Sequence, residues 1–414
     1  MRKIYTGIDI GSDSIKIVVS ELFNKKFHVL ASSCIKNKGM RKGLIVDKEK
    51  VAGSLNKAVK EIESTIGLKI KEAVVNVSSN DRKLSITSGS AKILDGIVTG
   101  EDVVNCLSNS IIDKIPEGYE LVTVVPIVFK VDEVDNIIDP KGREGEYLSV
   151  KAVIVMVPKE NLFSILELCN MCEIEAKDVI FSTIGDYYEA RGKDTENEIG
   201  AIVNVGSETI NISIFNKGII IKDDIINLGS KNIDKDISYV YGIDLKTSRE
   251  LKENFAVCSR KYADINDIID IKVTENDIVK INQYELSEVV ESRVSELLKL
   301  VKKSINNLTN RKISYIIVTG GISELTGFGY VVENVLGMNA FTLNMTTLGL
   351  RNNKYSTAMG MIKYFHDKLR IRNLNYSMFE ESKLDGTLMN NKKNLLNINS
   401  ETFVGKIFDY FTNN

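Results

Sequence analysis

An internal repeat restricts the fold of this chain more than any other feature. Residues 7–19, GIDIGSDSIKIVV, lie over residues 202–214, IVNVGSETINISI, without a gap. Asp9 falls on Asn204, Gly11 on Gly206, Ser12 on Ser207, Asp13 on Glu208 and Ser14 on Thr209. Ile15 and Ile17 fall on Ile210 and Ile212. Each copy reads as a strand, a tight glycine-containing turn and an alternating strand, which is the pattern of a β-hairpin. Each is followed by a further β-rich stretch, FHVLASSCI and GIIIKDDIINL. Two such hairpins about half a chain apart predict two similar lobes, each opening on a three-stranded meander.

At 414 residues the chain is longer than one core usually serves, so two or more domains are expected. A net charge of −2 provides no field that attracts nucleic acid, and no nucleic-acid partner is expected. The five cysteines (Cys34, Cys106, Cys169, Cys172 and Cys258) are odd in number and scattered, unlike a disulfide framework. Cys169 and Cys172 form a lone C-x-x-C inside a helical pattern, with no second pair to complete a four-ligand metal set. They read as packing thiols. The N-terminus lacks the apolar core of a signal peptide, and nowhere do about 18 apolar residues run together. A cytosolic protein with at most peripheral membrane contact is therefore expected.

Between the hairpins, DKEKVAGSLNKAVKEIESTIG predicts an amphipathic helix with Val51, Leu55, Ala58, Val59 and Ile62 on one face. All four prolines fall between residues 110 and 160, in a region of short strands and one helix that looks separately built. After the second hairpin, YELSEVVESRVSELLKLVKKSINNLT predicts a long amphipathic helix and SYIIVTGG a buried strand. YSTAMGMIKYFHDKLR is the last domain helix, followed by an Asn- and Lys-rich polar stretch.

Turns such as GSDS and GSET expose backbone N–H groups and hydroxyls to one side and can cradle phosphate oxygens. Two of them across a cleft would grip a polyphosphate from both sides. Asp9, at the end of the first strand, can hold Mg²⁺ through water, because Mg²⁺ keeps most of its hydration shell. A third element is the apolar strand ending in Gly320-Gly321-Ile322, where glycine lets a ligand approach the backbone. The candidate ligand-binding residues are Asp9, Gly11, Ser12, Asp13, Ser14 and Lys16 in the first half. In the second half they are Asn204, Gly206, Ser207, Glu208, Thr209, Gly320, Gly321 and Ile322.

In this order the three elements resemble the phosphate, phosphate and adenosine segments of the actin/Hsp70/hexokinase superfamily. Within it the chain most resembles the FtsA family, over nearly its whole length. GIDIGSDSIKIVV is similar to that family's first phosphate loop, and NKGMRKGLIVDKEK to the segment after its first meander. LSEVVESRVSELLKLV, IIVTGGISELTGF and YSTAMGMIKY are strongly family-like. The resemblance implies an actin-like (ribonuclease H-like) two-lobed α/β fold with an inserted α+β subdomain and a C-terminal amphipathic helix. The expected layout is a first lobe over 1–82 resuming at 161–199, with the insertion over 83–160. A second lobe spans 200–370, a flexible linker 371–399 and the terminal helix 400–414.

The resemblance also implies function: an ATP- and Mg²⁺-binding cell division protein that polymerises as an actin-like filament. It would tie the FtsZ ring to the cytoplasmic side of the cell membrane at the division site, as a peripheral membrane protein. In the helix LKTSRELKENFA, the family's acidic ribose contact would fall at Arg249; Lys252 keeps its place and Glu250 is displaced by one residue. The second loop departs from the family's D-x-G-G-G-T-T-D: the carboxylate is Asn204, and Ser207 and Glu208 replace glycines. Glu208 and Asp13 both place negative charge beside a polyphosphate. ATP binding is expected, and at most a weak ATPase. The alternatives are a sugar or carboxylate kinase of the same superfamily and a pilus-assembly adaptor.

From Ser400, a plausible N-cap, Phe403, Val404, Ile407, Phe408 and Phe411 form one apolar stripe. Lys406 is the only cation on this stretch, so binding to lipid would be mainly hydrophobic and marginal for one copy. Several tails on one polymer would reinforce one another.

Overall fold

The computed structural model describes residues 3–78, 81–273 and 278–379. The first half opens with β1 (Lys3–Ile10), β2 (Ser14–Phe23) and β3 (Lys26–Lys36). A small hairpin, β4 (Met40–Arg41) and β5 (Leu44–Ile45), leads to α1 (Lys48–Ile66) and β6 (Glu72–Val77). Then come β7 (Lys83–Lys92), α2 (Gly100–Asn109), β8 (Tyr119–Val131), β9 (Val134–Ile137) and β10 (Tyr147–Pro158). The chain returns through α3 (Lys159–Met171), β11 (Glu175–Phe181), α4 (Ser182–Ala190) and α5 (Lys193–Glu196).

The second half begins with β12 (Ile199–Val205), β13 (Ile210–Asn216) and β14 (Ile219–Ile226), then α6 (Lys231–Tyr241) and α7 (Leu245–Asn254). A hairpin of β15 (Ile268–Lys272) and β16 (Ile278–Asn282) precedes the long α8 (Gln283–Leu308). It closes with β17 (Tyr315–Thr319), α9 (Phe328–Leu336), β18 (Ala340–Thr342) and α10 (Ser356–Ile371).

The two main sheets have the same construction. Their strand orders are β11-β6-β1-β2-β3 and β18-β17-β12-β13-β14, each with an antiparallel meander on one side of the centre and parallel strands on the other. The repeat seen in the sequence is thus a repeat of whole sheets, with β1 equivalent to β12. A separate sheet, β7-β10-β8-β9, packs on α2 around Val103, Cys106, Phe129, Leu148 and Val150.

Local signals place the helices. Asp47 caps α1, its side chain accepting from Lys50 N, and Gly67 ends the helix in the left-handed region. The expected stripe Val51, Leu55, Ala58, Val59 and Ile62 is buried. The apolar face of α8, including Leu286, Val290, Val294, Leu297, Leu298 and Val301, covers the second sheet.

Helices α4 and α10 link the halves and cross in backbone contact. A Cβ on Gly360 would lie 1.7 Å from Gly185 O, so only glycine allows this crossing. Beside it, the buried Arg82 guanidinium pairs with Asp223 and donates to Asp224 O at 2.9 Å, pinning the start of β7 to β14.

Residues 371–379, expected to open the polar linker, pack against the first half instead. Residue 371 ends α10, and Tyr376, Met378 and Phe379 then pack on the first-half core. Met378 N donates to Ile4 O at 2.9 Å beside β1. These three apolar side chains have a seat to bury, which a polar average over the stretch conceals. The expected terminal helix, with Phe403, Val404, Ile407, Phe408 and Phe411, lies outside the described residues.

Candidate functional site

The two glycine turns have one geometry. Gly11 N donates to Ser14 O at 3.1 Å, and Gly206 N donates to Thr209 O at 3.0 Å. Both turns are tied down by their carbonyls. Asn37 takes Asp13 O through its backbone N–H and Gly11 O through its side-chain amide; Ser230 N and Lys231 N take Gly206 O and Ser207 O. The backbone N–H groups of Ser12, Asp13, Ser207 and Glu208 donate no hydrogen bond among the described residues. Two pairs of free donors on tied-down turns are the kind of group that can hold an anion.

The floor beneath the first turn carries charge. Asp9 is buried; its Oδ1 accepts from Asn76 Nδ2 at 2.9 Å and its Oδ2 from Lys16 Nζ at 3.0 Å. Asn76 is itself fixed, its Oδ1 accepting from Ile10 N at 2.6 Å. Burial pushes the Lys16 ammonium down, but Asp9 outweighs it and holds the group above its ordinary value. Beneath the second turn, Asn204 Nδ2 donates to Asp186 Oδ2 on α4 at 2.7 Å. Ser356 and Thr357, at the start of α10, each donate to Asp186 Oδ1 at 2.8 Å. Burial pushes the Asp186 carboxyl up to about 6, and these donors pull against that shift.

Both turn carboxylates reach the opposite half. Asp13 takes a bidentate contact from Arg249 on α7, with Nη2 to Oδ2 at 2.6 Å. Glu208 accepts from the Lys42 backbone N–H in the first half and from Lys231 Nζ, both at 2.8 Å. Burial pushes the Glu208 carboxyl up, but Lys231, the Lys42 amide and Arg41 together hold it below its ordinary value. Lys42 and Gly43 form the tip of the β4–β5 hairpin, both at positive φ as a two-residue turn needs. Gly43 N donates to Ser12 Oγ at 2.8 Å, which leaves the Ser12 hydroxyl proton free for the cleft. The tip thus touches both turns.

The third element adjoins the second turn. Gly320 has φ 108°, and a Cβ there would lie 2.3 Å from Val205 O, so glycine is required. Gly321 faces open space, whereas the Ile322 side chain turns into the second-half core. Two expected residues are not brought to the turns. Glu250 is exposed beside Lys246, and Lys252 is buried against Asp234 Oδ1 at 2.5 Å. The capped start of α7 at Asp244 sets the helix phase that points Arg249 at the first turn. Glu250, next in sequence, lies about 100° further round.

Reading single residues did not reveal Asn76, Asp186 or the Lys42-Gly43 tip as parts of this site. The one local signal was Lys-Gly between Met40-Arg41 and the apolar pair Leu44-Ile45 in the segment after the first meander.

Two homologous sheets joined by crossing helices, with paired glycine turns both touched by the β4–β5 tip, define an actin-like two-lobed α/β protein. Solved structures agree at the level of fold. The PilM–PilN type IV pilus biogenesis complex matches with TM-score 0.58 at 14% identity, covering 89% of this chain and 98% of that one. MreB5 of Spiroplasma citri bound to ADP matches with TM-score 0.55 at 12% identity, covering 90% and 99%. The family model described as cell division protein FtsA matches residues 201–360, and that of the SHS2 domain inserted in FtsA matches residues 80–156. The cell division protein FtsA of Bacillus subtilis (strain 168) is 26% identical over 391 residues, covering 92% of this chain and 88% of the relative. That of Enterococcus hirae is 24% identical over 366 residues, covering 87% and 83%. The chain belongs to the FtsA family of cell division proteins.

Proposed function

We propose that the cleft binds ATP with hydrated Mg²⁺, and that the chain assembles into actin-like filaments that hold FtsZ at the membrane. The observation that carries the nucleotide reading is the two pairs of undonated backbone N–H groups, at Ser12–Asp13 and Ser207–Glu208, on turns of identical hydrogen bonding. They would take phosphate oxygens from both sides, with the Ser12 hydroxyl, Lys16 and Arg249 adding donors and positive charge. Gly320 holds the loop against Val205, and Gly321, open where a Cβ would stand, leaves room for the nucleoside against the backbone.

The donor set suits a metal held through water. Both Asp9 oxygens already accept, from Asn76 and Lys16, so the carboxylate is better placed to orient a hydration shell than to enter it. Bound Mg²⁺ would neutralise phosphate charge beside Asp13 and Glu208. Asp9 would orient that shell and the turns would hold the phosphates, while Asn204 offers a neutral side chain where Asp9 offers a charged one. Such a floor favours binding over turnover, so any ATPase activity would be weak.

The membrane role is proposed for residues 400–414, from the apolar stripe in their sequence. Among the described residues no helix is long and apolar enough to cross a membrane. On this reading the chain works as a peripheral adaptor on the cytoplasmic face at the division site. The names of its relatives support the cell division role.

Thermal shift with Mg-ATP and with a non-hydrolysable analogue tests the cleft. Stabilisation by both is expected, and none by either would leave the nucleotide reading without support. Liposome flotation tests the tail: protein truncated after residue 395 should stay with the soluble fraction while full-length protein floats.

A further inference from the structure

The carboxylate that the first hairpin carries at Asp9 is missing from the second, yet a carboxylate lies directly behind its replacement. We propose that Asp186 is a positioning residue of the cleft, fixing Asn204 so that its carbonyl oxygen, Oδ1, faces the space between the turns. The proposal takes its ligand, the hydrated polyphosphate of a nucleotide, from the reading above. The orientation of the pair does not depend on that reading.

A carboxylate can only accept, so the side of Asn204 facing Asp186 must be its NH₂ group. Nδ2 donates to Asp186 Oδ2 at 2.7 Å and approaches Thr357 Oγ1 at 3.4 Å. Thr357 in turn gives its proton to Asp186, so both neighbours of Nδ2 require a donor. Asn204 Oδ1 accepts no hydrogen bond among the described residues, and it lies 3.1 Å from where a Cβ on Gly320 would stand. That places it beside the Gly-Gly loop, on a residue that is only partly buried. Asp186, only 1% exposed, does not reach the cleft itself.

The first half holds the same kind of pair in reverse. There the carboxylate, Asp9, sits on the hairpin strand and the amide, Asn76, on the neighbouring strand, joined at 2.9 Å. Each turn therefore stands over one Asn–Asp pair, with the carboxylate on the hairpin strand in the first and the amide there in the second, where the carboxylate comes from the linking helix α4. The exchange gives the second turn a neutral oxygen, which can accept from a water around the phosphates without repelling them.

Reciprocal substitution tests the pair. N204D sets two carboxylates at hydrogen-bond distance in a buried place, and its melting temperature at neutral pH should fall by several degrees. Adding D186N restores one donor facing one acceptor, and the double variant should recover most of the loss. The second readout is titration with a fluorescent ATP analogue and Mg²⁺. N204L, which presents no oxygen, should bind about ten-fold more weakly than wild type with an unchanged circular dichroism spectrum. N204D melting with wild type, or a double variant no more stable than N204D, would overturn the pairing. N204L binding like wild type would overturn the positioning role. If wild type itself binds no nucleotide, the proposed function fails, and the melting temperatures still decide whether the pair is real.

Discussion

Across β1 and β2 the residues facing each other beneath the turn are Asp9 and Lys16; across β12 and β13 they are Asn204 and Asn211. The hairpins have the same turn hydrogen bond and the same place in their sheets, so backbone geometry is not what separates them. Charge is. The first turn stands on a buried ion pair, the second on two amides with a carboxylate hidden behind one of them. Both turns end in a carboxylate, and each carboxylate is neutralised from the opposite half, Asp13 by Arg249 and Glu208 in part by the Lys42 amide. A duplicated scaffold has thus kept the turn geometry proposed to cradle phosphate and redistributed the charges around it. An incoming polyphosphate would compete with Asp13 for Arg249 and with Glu208 for Lys231.

Substitutions at matched positions would break or sharpen this comparison. The largest effect is expected where the linking helices cross. Gly360→Ala forces a Cβ to 1.7 Å from Gly185 O, whereas Gly185→Ala meets Thr357 O at 2.7 Å. Urea denaturation should show a loss of about 3 kcal/mol or more for G360A, and a smaller one for G185A.

Next come the cations beside the two turns. Lys16→Met leaves the buried Asp9 carboxylate without its counter-charge and should cost about 3 kcal/mol. Lys231→Met removes a half-exposed partner from Glu208 and should cost less than about 1 kcal/mol. Equal losses in the same denaturation experiment would contradict the difference in charge burial between the turns.

The two carboxylates beside the second turn, Asp186 and Glu208, should also respond oppositely to pH. With Asp186 pushed up by burial to about 6 from an ordinary 3.8, the folded protein keeps a proton that the unfolded chain has released. Its contribution to stability therefore grows as pH falls from 7.5 through 6, and D186N should flatten that part of the profile. Glu208, held below its ordinary 4.5, contributes at neutral pH and loses that contribution only as pH falls through its lowered value. Melting curves of wild type, D186N and E208Q between pH 7.5 and 4 separate the two.

The smallest change in stability is expected for the double variant D13N/E208Q, since both carboxylates are partly exposed. Its nucleotide affinity should nevertheless rise several-fold, because two negative charges leave the cradle and Arg249 and Lys231 are released. A titration showing unchanged or weaker binding would mean that the latches help the ligand.

What could be read from the chain was local. The glycine turns, the Gly-Gly loop and the apolar stripes of α1 and α8 depend on neighbours a few residues away, and periodicity displays them. The partners that set the charge of the cleft are distant in sequence: Asp13 with Arg249, Asp9 with Asn76, Asn204 with Asp186. They meet only because the two sheets and α4 and α10 bring them together, and no spacing rule announces such pairs. The phase of α7 was legible too, since the sequence puts Arg249 where the family's acidic contact would fall; the ion pair of Arg249 with Asp13 was not. Tyr376 and Met378 show a further limit, where a seat beside β1 outweighs a polar neighbourhood.

Hydrogen–deuterium exchange with and without Mg-ATP tests the central claim most directly, because it reports on backbone N–H groups, the donors on which the cradle rests. Protection should appear together at residues 11–14, 206–209 and 320–322, with little change in the sheet formed by β7–β10. Protection at only one turn, or at neither while nucleotide is demonstrably bound, would contradict a cleft that grips phosphate from both halves.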